Sequence, residues 1–62
     1  MSDRNIKVTN PFSGQSEMLT QEEHWLYVQI KQMEIRERYD AMQKGLDKFR
    51  RLNAKAYMTL LD

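Results

Sequence analysis

The sequence predicts a mostly α fold: a small helical hairpin or two-to-three-helix domain with a short N-terminal β-hairpin or extended arm. Three observations carry this expectation. Apolar residues recur at helical spacing between Leu26 and Phe49, a capping signal opens that run at Thr20, and a turn sequence, Asn10-Pro11-Phe12-Ser13-Gly14, follows a short alternating stretch. The expected division is an arm or hairpin over 1–19 and a helical domain over 20–62, with helices over about 21–33, 34–52 and 54–61.

In chain order, Ile6-Lys7-Val8-Thr9 alternates apolar and polar residues, as a half-buried strand does. In the turn that follows, Asn suits the first position, Pro presets φ at the second, and Gly14 accepts a positive φ at the end. Gln15-Ser16-Glu17-Met18 then returns as a second strand, or the whole segment is an ordered turn in a looser arm. Two strands alone are marginal, so Ile6, Val8 and Met18 are expected to lie on the helices.

Thr20-Gln21-Glu22-Glu23 reads as a capping box. The Thr20 hydroxyl accepts the amide three residues on and the Glu23 carboxylate accepts the Thr20 amide, while Glu22 and Glu23 sit favourably at the positive end of the helix dipole. Beyond it the apolar positions form two stripes. Leu26, Ile30 and Met33 share one side; Ile35, Tyr39, Met42, Leu46 and Phe49 follow 4-3 spacing and point roughly opposite. Either the helix breaks near Gln32 to Glu34 and folds into an antiparallel hairpin, or it continues and an oligomer covers the second stripe. No Gly or Pro marks a turn there, but a chain this short has few other ways to cover both faces, which favours the break. Gly45 costs about 1 kcal/mol relative to Ala inside a helix, and permits close approach of another backbone. Asn53 stops the preceding helix or caps a last one, in which Ala54, Tyr57, Met58 and Leu61 share a face.

Sixty-two residues make one small domain, and such a chain buries only about 60% of its unfolded surface. With no cysteine and one histidine, neither a disulfide nor a Cys- or His-rich metal cluster is expected to compensate. No cofactor is expected either. Ten basic residues against nine acidic ones create no global field for nucleic acid or membrane. Without a long apolar run or a signal-peptide pattern, the expectation is a cytoplasmic chain.

Catalytic groups are not apparent. His24 stands beside Glu22 and Glu23 without a nucleophile in register, so a surface histidine is the simpler reading. Among the other acids, Glu34 precedes Arg38, Asp40 precedes Lys44, and Asp47 precedes Arg51 by four residues, a spacing that helix ion pairs explain without a site. Lys44, Lys48, Arg51 and Lys55 form a basic stripe opposite the apolar one. Acids border it and no aromatics interleave, so it reads as a solvated face before a nucleic-acid surface. The candidate partner-binding residues are therefore Trp25 and Tyr27, which flank Leu26 and cannot both share its face, together with the second stripe, Ile35, Tyr39, Met42, Leu46 and Phe49. The alternative is that one or both of Trp25 and Tyr27 cover the N-terminal hairpin. The stripe is the expected seam for self-association, and Trp25 the expected contact with a different protein.

Several segments in order, Asn10-Pro11-Phe12-Ser13-Gly14, Leu19-Thr20 with Glu22-Glu23, Lys44-Gly45-Leu46-Asp47-Lys48-Phe49-Arg50, and Asn53 with Ala56-Tyr57-Met58-Thr59-Leu60-Leu61-Asp62, together resemble a group of very short, functionally uncharacterised bacteriophage-encoded proteins, marine phages especially. The similarity spans most of the chain and brings no catalytic residues. It implies a small protein that binds a host or phage protein in the infected cell, or a minor part of the particle. The expectation is thus a non-enzymatic protein-interaction module. The alternatives are a homo-oligomeric structural component and, behind it, a nucleic-acid-binding protein.

Overall fold

The computed structural model describes residues 3–61. Five elements follow one another: β1 (Ile6–Thr9), β2 (Ser16–Leu19), α1 (Gln21–Ile35), α2 (Tyr39–Leu52) and α3 (Ala54–Leu60). The mostly helical fold with an N-terminal β-hairpin follows the expectation.

The hairpin is set by its turn. Asn10 Oδ1 accepts from the Phe12 amide at 2.9 Å, and the Asn10 carbonyl accepts from the Gly14 amide at 2.8 Å, with Gly14 at φ 77°. Its register pairs Ile6 with Leu19 and Lys7 with Met18. Directly opposed residues share a face, so Met18 goes outward with Lys7 and is exposed, contrary to the expectation that it lies on the helices; Leu19 is fully buried in that role.

The capping box at Thr20 is formed in full: the Glu23 amide donates to Thr20 Oγ1 and the Thr20 amide donates to Glu23 Oε1, both at 3.0 Å. The helix break exists but falls at Arg36–Arg38 instead of Gln32–Glu34. At the end of α1, the Glu37 amide donates to the Glu34 carbonyl and the Arg38 amide to the Met33 carbonyl, at 3.1 and 2.8 Å. This is the Schellman pattern, with Glu37 at φ 57° in the left-handed position that Gly or Asn normally takes. No breaker is visible in the sequence because a glutamate holds the breaker's conformation. Glu37→Gly is accordingly expected to stabilise the fold by about 0.5–1 kcal/mol through relief of the left-handed penalty. A urea midpoint shifted downward would show that the Glu37 side chain contributes more than its backbone conformation costs.

After this turn α2 runs back along α1, bringing Gly45 against Ile30 and the end of α2 beside Glu23. A Cβ on Gly45 would stand 3.0 Å from Ile30 Cγ1, so the glycine admits a buried side chain of the facing helix, where close approach of a backbone was expected. The second stripe is divided by this packing. Phe49 is fully buried, and Met42 and Leu46 pack on the core that Leu19, Leu26, Ile30, Phe49, Ala56 and Leu60 form. Since α1 covers them within one chain, Met42, Leu46 and Phe49 do not form the free seam expected from their spacing.

Asn53 serves both of its expected roles. Its amide donates to the Phe49 carbonyl, ending α2, and its Oδ1 accepts from the Ala56 amide at 3.1 Å, opening α3. The buried face of α3 is Ala56 and Leu60, flanked by Tyr57 and Leu61, whereas Ala54 and Met58, expected on that face, are exposed. The hairpin is tied to α3 by Asn10 Nδ2 to the Thr59 carbonyl (3.1 Å) and by Thr59 Oγ1 to Glu17 Oε2 (2.9 Å).

One polar cluster locks the start of α1 to the rest. The Glu23 side chain is only 6% exposed, and it accepts from Thr20 N, from Arg4 Nε and Nη2 (3.4 and 3.2 Å), and from Asn53 Nδ2 (3.2 Å). Arg4 Nη2 also donates to the Leu52 carbonyl at 3.3 Å. Arm, first helix and the α2–α3 junction therefore meet on a single carboxylate.

Candidate protein-interaction surface

Helix α1 carries apolar residues on opposite sides. Leu26 and Ile30 face the core. Trp25, Val28 and Ile35 follow helical spacing on the outside, and Gln29 and Gln32 fill the positions between them. The outer strip thus holds no charged residue from Trp25 to Ile35, although the neighbouring faces carry Lys31 and Glu34, which pair with each other at 3.8 Å. A helix that is apolar on two sides normally buries both. Here α2 and the hairpin pack against the side of α1 that carries Leu26 and Ile30, and the opposite side stays open. Trp25 is left 64% exposed and Ile35 74% exposed.

Two open depressions lie on this face, sharing Trp25 and Val28 as the ridge between them. One, of about 490 Å³, runs toward the start of α2 and is bordered by Gln32, Met33, Arg36 and Ala41. The other, of about 610 Å³, lies at the N-terminal end beside Gln21, Glu22 and His24. Charge is confined to the ends of the strip: Glu22 at the start of α1, Arg36 and Arg38 at its close. Such a surface can take up another apolar helix face by packing, with the Trp25 ring as the large anchor and its indole N–H as donor.

The other sequence candidates are dispersed. Tyr27 is half-buried against the core, and its ring lies 5.8 Å from Lys31 Nζ. Tyr39 is exposed at the start of α2, on the far side of the turn from Ile35. Met42, Leu46 and Phe49 are part of the core as described, so Phe49 has no surface to offer a partner. Only Trp25 and Ile35 belong to the outer strip of α1. The residues that complete it, Val28, Gln29 and Gln32, were not singled out from the sequence; the signal available there was the absence of charge at 25, 28, 29, 32 and 35.

Lys44, Lys48, Arg51 and Lys55 are all exposed, in keeping with a solvated stripe. The acids expected to pair with a base four residues on behave differently: among the described residues no ion pair joins Asp40 to Lys44. Asp47 pairs with Arg50 at 3.6 Å, three residues on, in place of Arg51, and Glu34 pairs back to Lys31 because the helix ends before Arg38. His24 is half-buried beside the N-terminal depression. Among the described residues there is no cluster of metal-ligating side chains, no buried side-chain polar atom without a partner, and no helix long and apolar enough to cross a membrane. Comparison of the chain with protein-family models, with curated proteins and with solved structures gives no match.

Proposed function

We propose that this chain is a non-enzymatic protein-interaction module whose contact surface is the outer face of α1, centred on Trp25. The observation that carries the reading is the uncharged strip with a tryptophan largely in solvent, on a helix whose other face is already buried. Leaving that much aromatic and aliphatic surface in water is unfavourable by roughly 25 cal/mol per Å², and burying it against a partner recovers the cost. The resemblance to short phage proteins supports an infected-cell context, with a host or phage protein as partner. A second reading, a homo-oligomeric component of a particle, is favoured by the opposite charges at the two ends of the strip.

The test compares the wild-type chain with Trp25→Glu and Phe12→Ala, each immobilised and exposed to host lysate and to free wild-type chain. Phe12 is the control because it is almost wholly exposed at the hairpin tip, away from α1. The wild type and Phe12→Ala are expected to retain the same protein, and Trp25→Glu to lose it. Equal retention by all three would overturn the assignment of the surface. Stability separates contact from folding: Trp25→Ala is expected to move the unfolding free energy of the monomer by no more than about 0.5 kcal/mol, as exposed substitutions do. A loss several times larger in dilute solution would give Trp25 an internal packing role.

A further inference from the structure

Given an interaction surface on α1, on which this inference rests, the order of residues along the helix identifies what covers it. We propose that the occupant is the same face of a second copy, with the two α1 helices packed antiparallel about a two-fold axis beside Val28 and Gln29.

The argument is one of self-complementarity. A two-fold interface requires that a patch match itself after rotation, so residues equally far from the axis on opposite sides must suit each other. Glu22 and Arg36 lie about 10 and 11 Å from a point between Val28 and Gln29 at 1.5 Å per residue, on the same side of the helix as Trp25. Rotation brings Glu22 of each copy to Arg36 of the other, joining opposite charges at both ends. The same rotation places Trp25 opposite Gln32, at the depression of about 490 Å³ bordered by Gln32, Met33 and Arg36. The largest projection on the face thus meets its hollow, and the guanidinium of Arg36 is available to the indole ring. Parallel packing would place Glu22 against Glu22 and Arg36 against Arg36, with each Trp25 on its own counterpart. Among the described residues neither Glu22 nor Arg36 has an ion pair within its own chain, so both are available. A single helix pair buries less than the roughly 800 Å² per partner of a standard interface, which puts the expected dissociation constant on the order of 100 μM.

Sedimentation equilibrium between roughly 10 μM and 1 mM brackets that affinity. The wild type is expected to rise from the mass of one chain to that of two. Glu22→Lys and Arg36→Glu each set two like-charge contacts at the interface and are expected to weaken the dimer about tenfold. An equimolar mixture of these two variants restores both opposite-charge contacts, and so does the double variant, so each is expected to associate nearly as well as the wild type. Circular dichroism checks that the variants fold. Should a charge reversal disturb α1, Trp25→Ala, which removes the projection without changing charge, is expected to remain a single chain throughout. A wild type that stays at one-chain mass at 1 mM overturns the second copy as occupant, as does a mixture no tighter than its components. If Trp25→Glu still loses a different protein from lysate in that case, the interaction surface stands and only its occupant changes. A dimer indifferent to Trp25→Ala would remove both the surface and this inference.

Discussion

Phe49→Ala is expected to unfold the protein. Phe49 is fully buried in one core cluster with Leu19, Leu26, Ile30, Ala56 and Leu60, residues that come from the hairpin, α1 and α3. Truncating such a ring costs about 3–5 kcal/mol in lost transfer energy and residual cavity. A domain of this size has a total stability of roughly 3–9 kcal/mol. The loss is therefore comparable to the total stability, with neither disulfide nor metal among the described residues to compensate. Far-ultraviolet circular dichroism and urea titration read the outcome directly. Ile35→Ala, four positions before Tyr39 in the same sequence stripe, is the control: its side chain is exposed, and its midpoint is expected to stay within about 0.5 kcal/mol of the wild type. If Phe49→Ala remained cooperatively folded at an unchanged midpoint, Phe49 would be a surface residue after all, and the hairpin packing of α1 on α2 would be wrong.

The second large effect belongs to Glu23, and it depends on pH. Burial pushes its carboxyl upward, but hydrogen bonds from Thr20, Arg4 and Asn53, together with the charge of Arg4, outweigh that penalty and hold it below the ordinary glutamate value of about 4.5. A depressed folded-state value means that the unfolded chain binds the proton first as pH falls. The stabilisation is therefore fully present above the ordinary glutamate range, and is lost progressively as pH drops through that range to the lowered folded-state value. Glu23→Ala at neutral pH removes the acceptor of the Thr20 amide and leaves Asn53 Nδ2 buried without its partner; the expected cost is about 2–3 kcal/mol. The difference between wild type and variant should narrow as pH is lowered through this window. A constant difference would mean that the ionised carboxylate is not what joins the arm, α1 and the α2–α3 junction.

The α1 surface shows why a proposed partner site of this kind is hard to see in a sequence. Trp25 stood out because it flanks Leu26 and cannot share its face, a conclusion that needs only helical periodicity. Val28 did not, because a lone aliphatic residue on a helix is as readily assigned to a core as to a surface. The uncharged glutamines became informative only once the buried side of α1 was known from the contact of Ile30 with Gly45. The second stripe erred in the opposite direction. Its 4-3 spacing suits an intermolecular seam and an intramolecular hairpin equally well, and spacing alone does not say whose helix covers it.

Local signals determined what local chemistry can determine. The Thr20–Glu23 capping box, the Asn10–Gly14 turn, the Asn53 cap and the mostly helical class each depend on residues within a few positions of one another, and each is formed as its side chains require. Decisions that depend on distant segments were left to the tertiary structure. The chain reverses at Glu37 and not at Gln32–Glu34 because packing α2 on α1 outweighs the cost of a glutamate in left-handed backbone, about 1–2 kcal/mol. Leu19, not Met18, enters the core because the hairpin register sets which strand face meets the helices. The same packing encloses Phe49 and leaves Trp25 in water: one hairpin of two helices has an inside for a single face of α1, and the core took the face with Leu26 and Ile30.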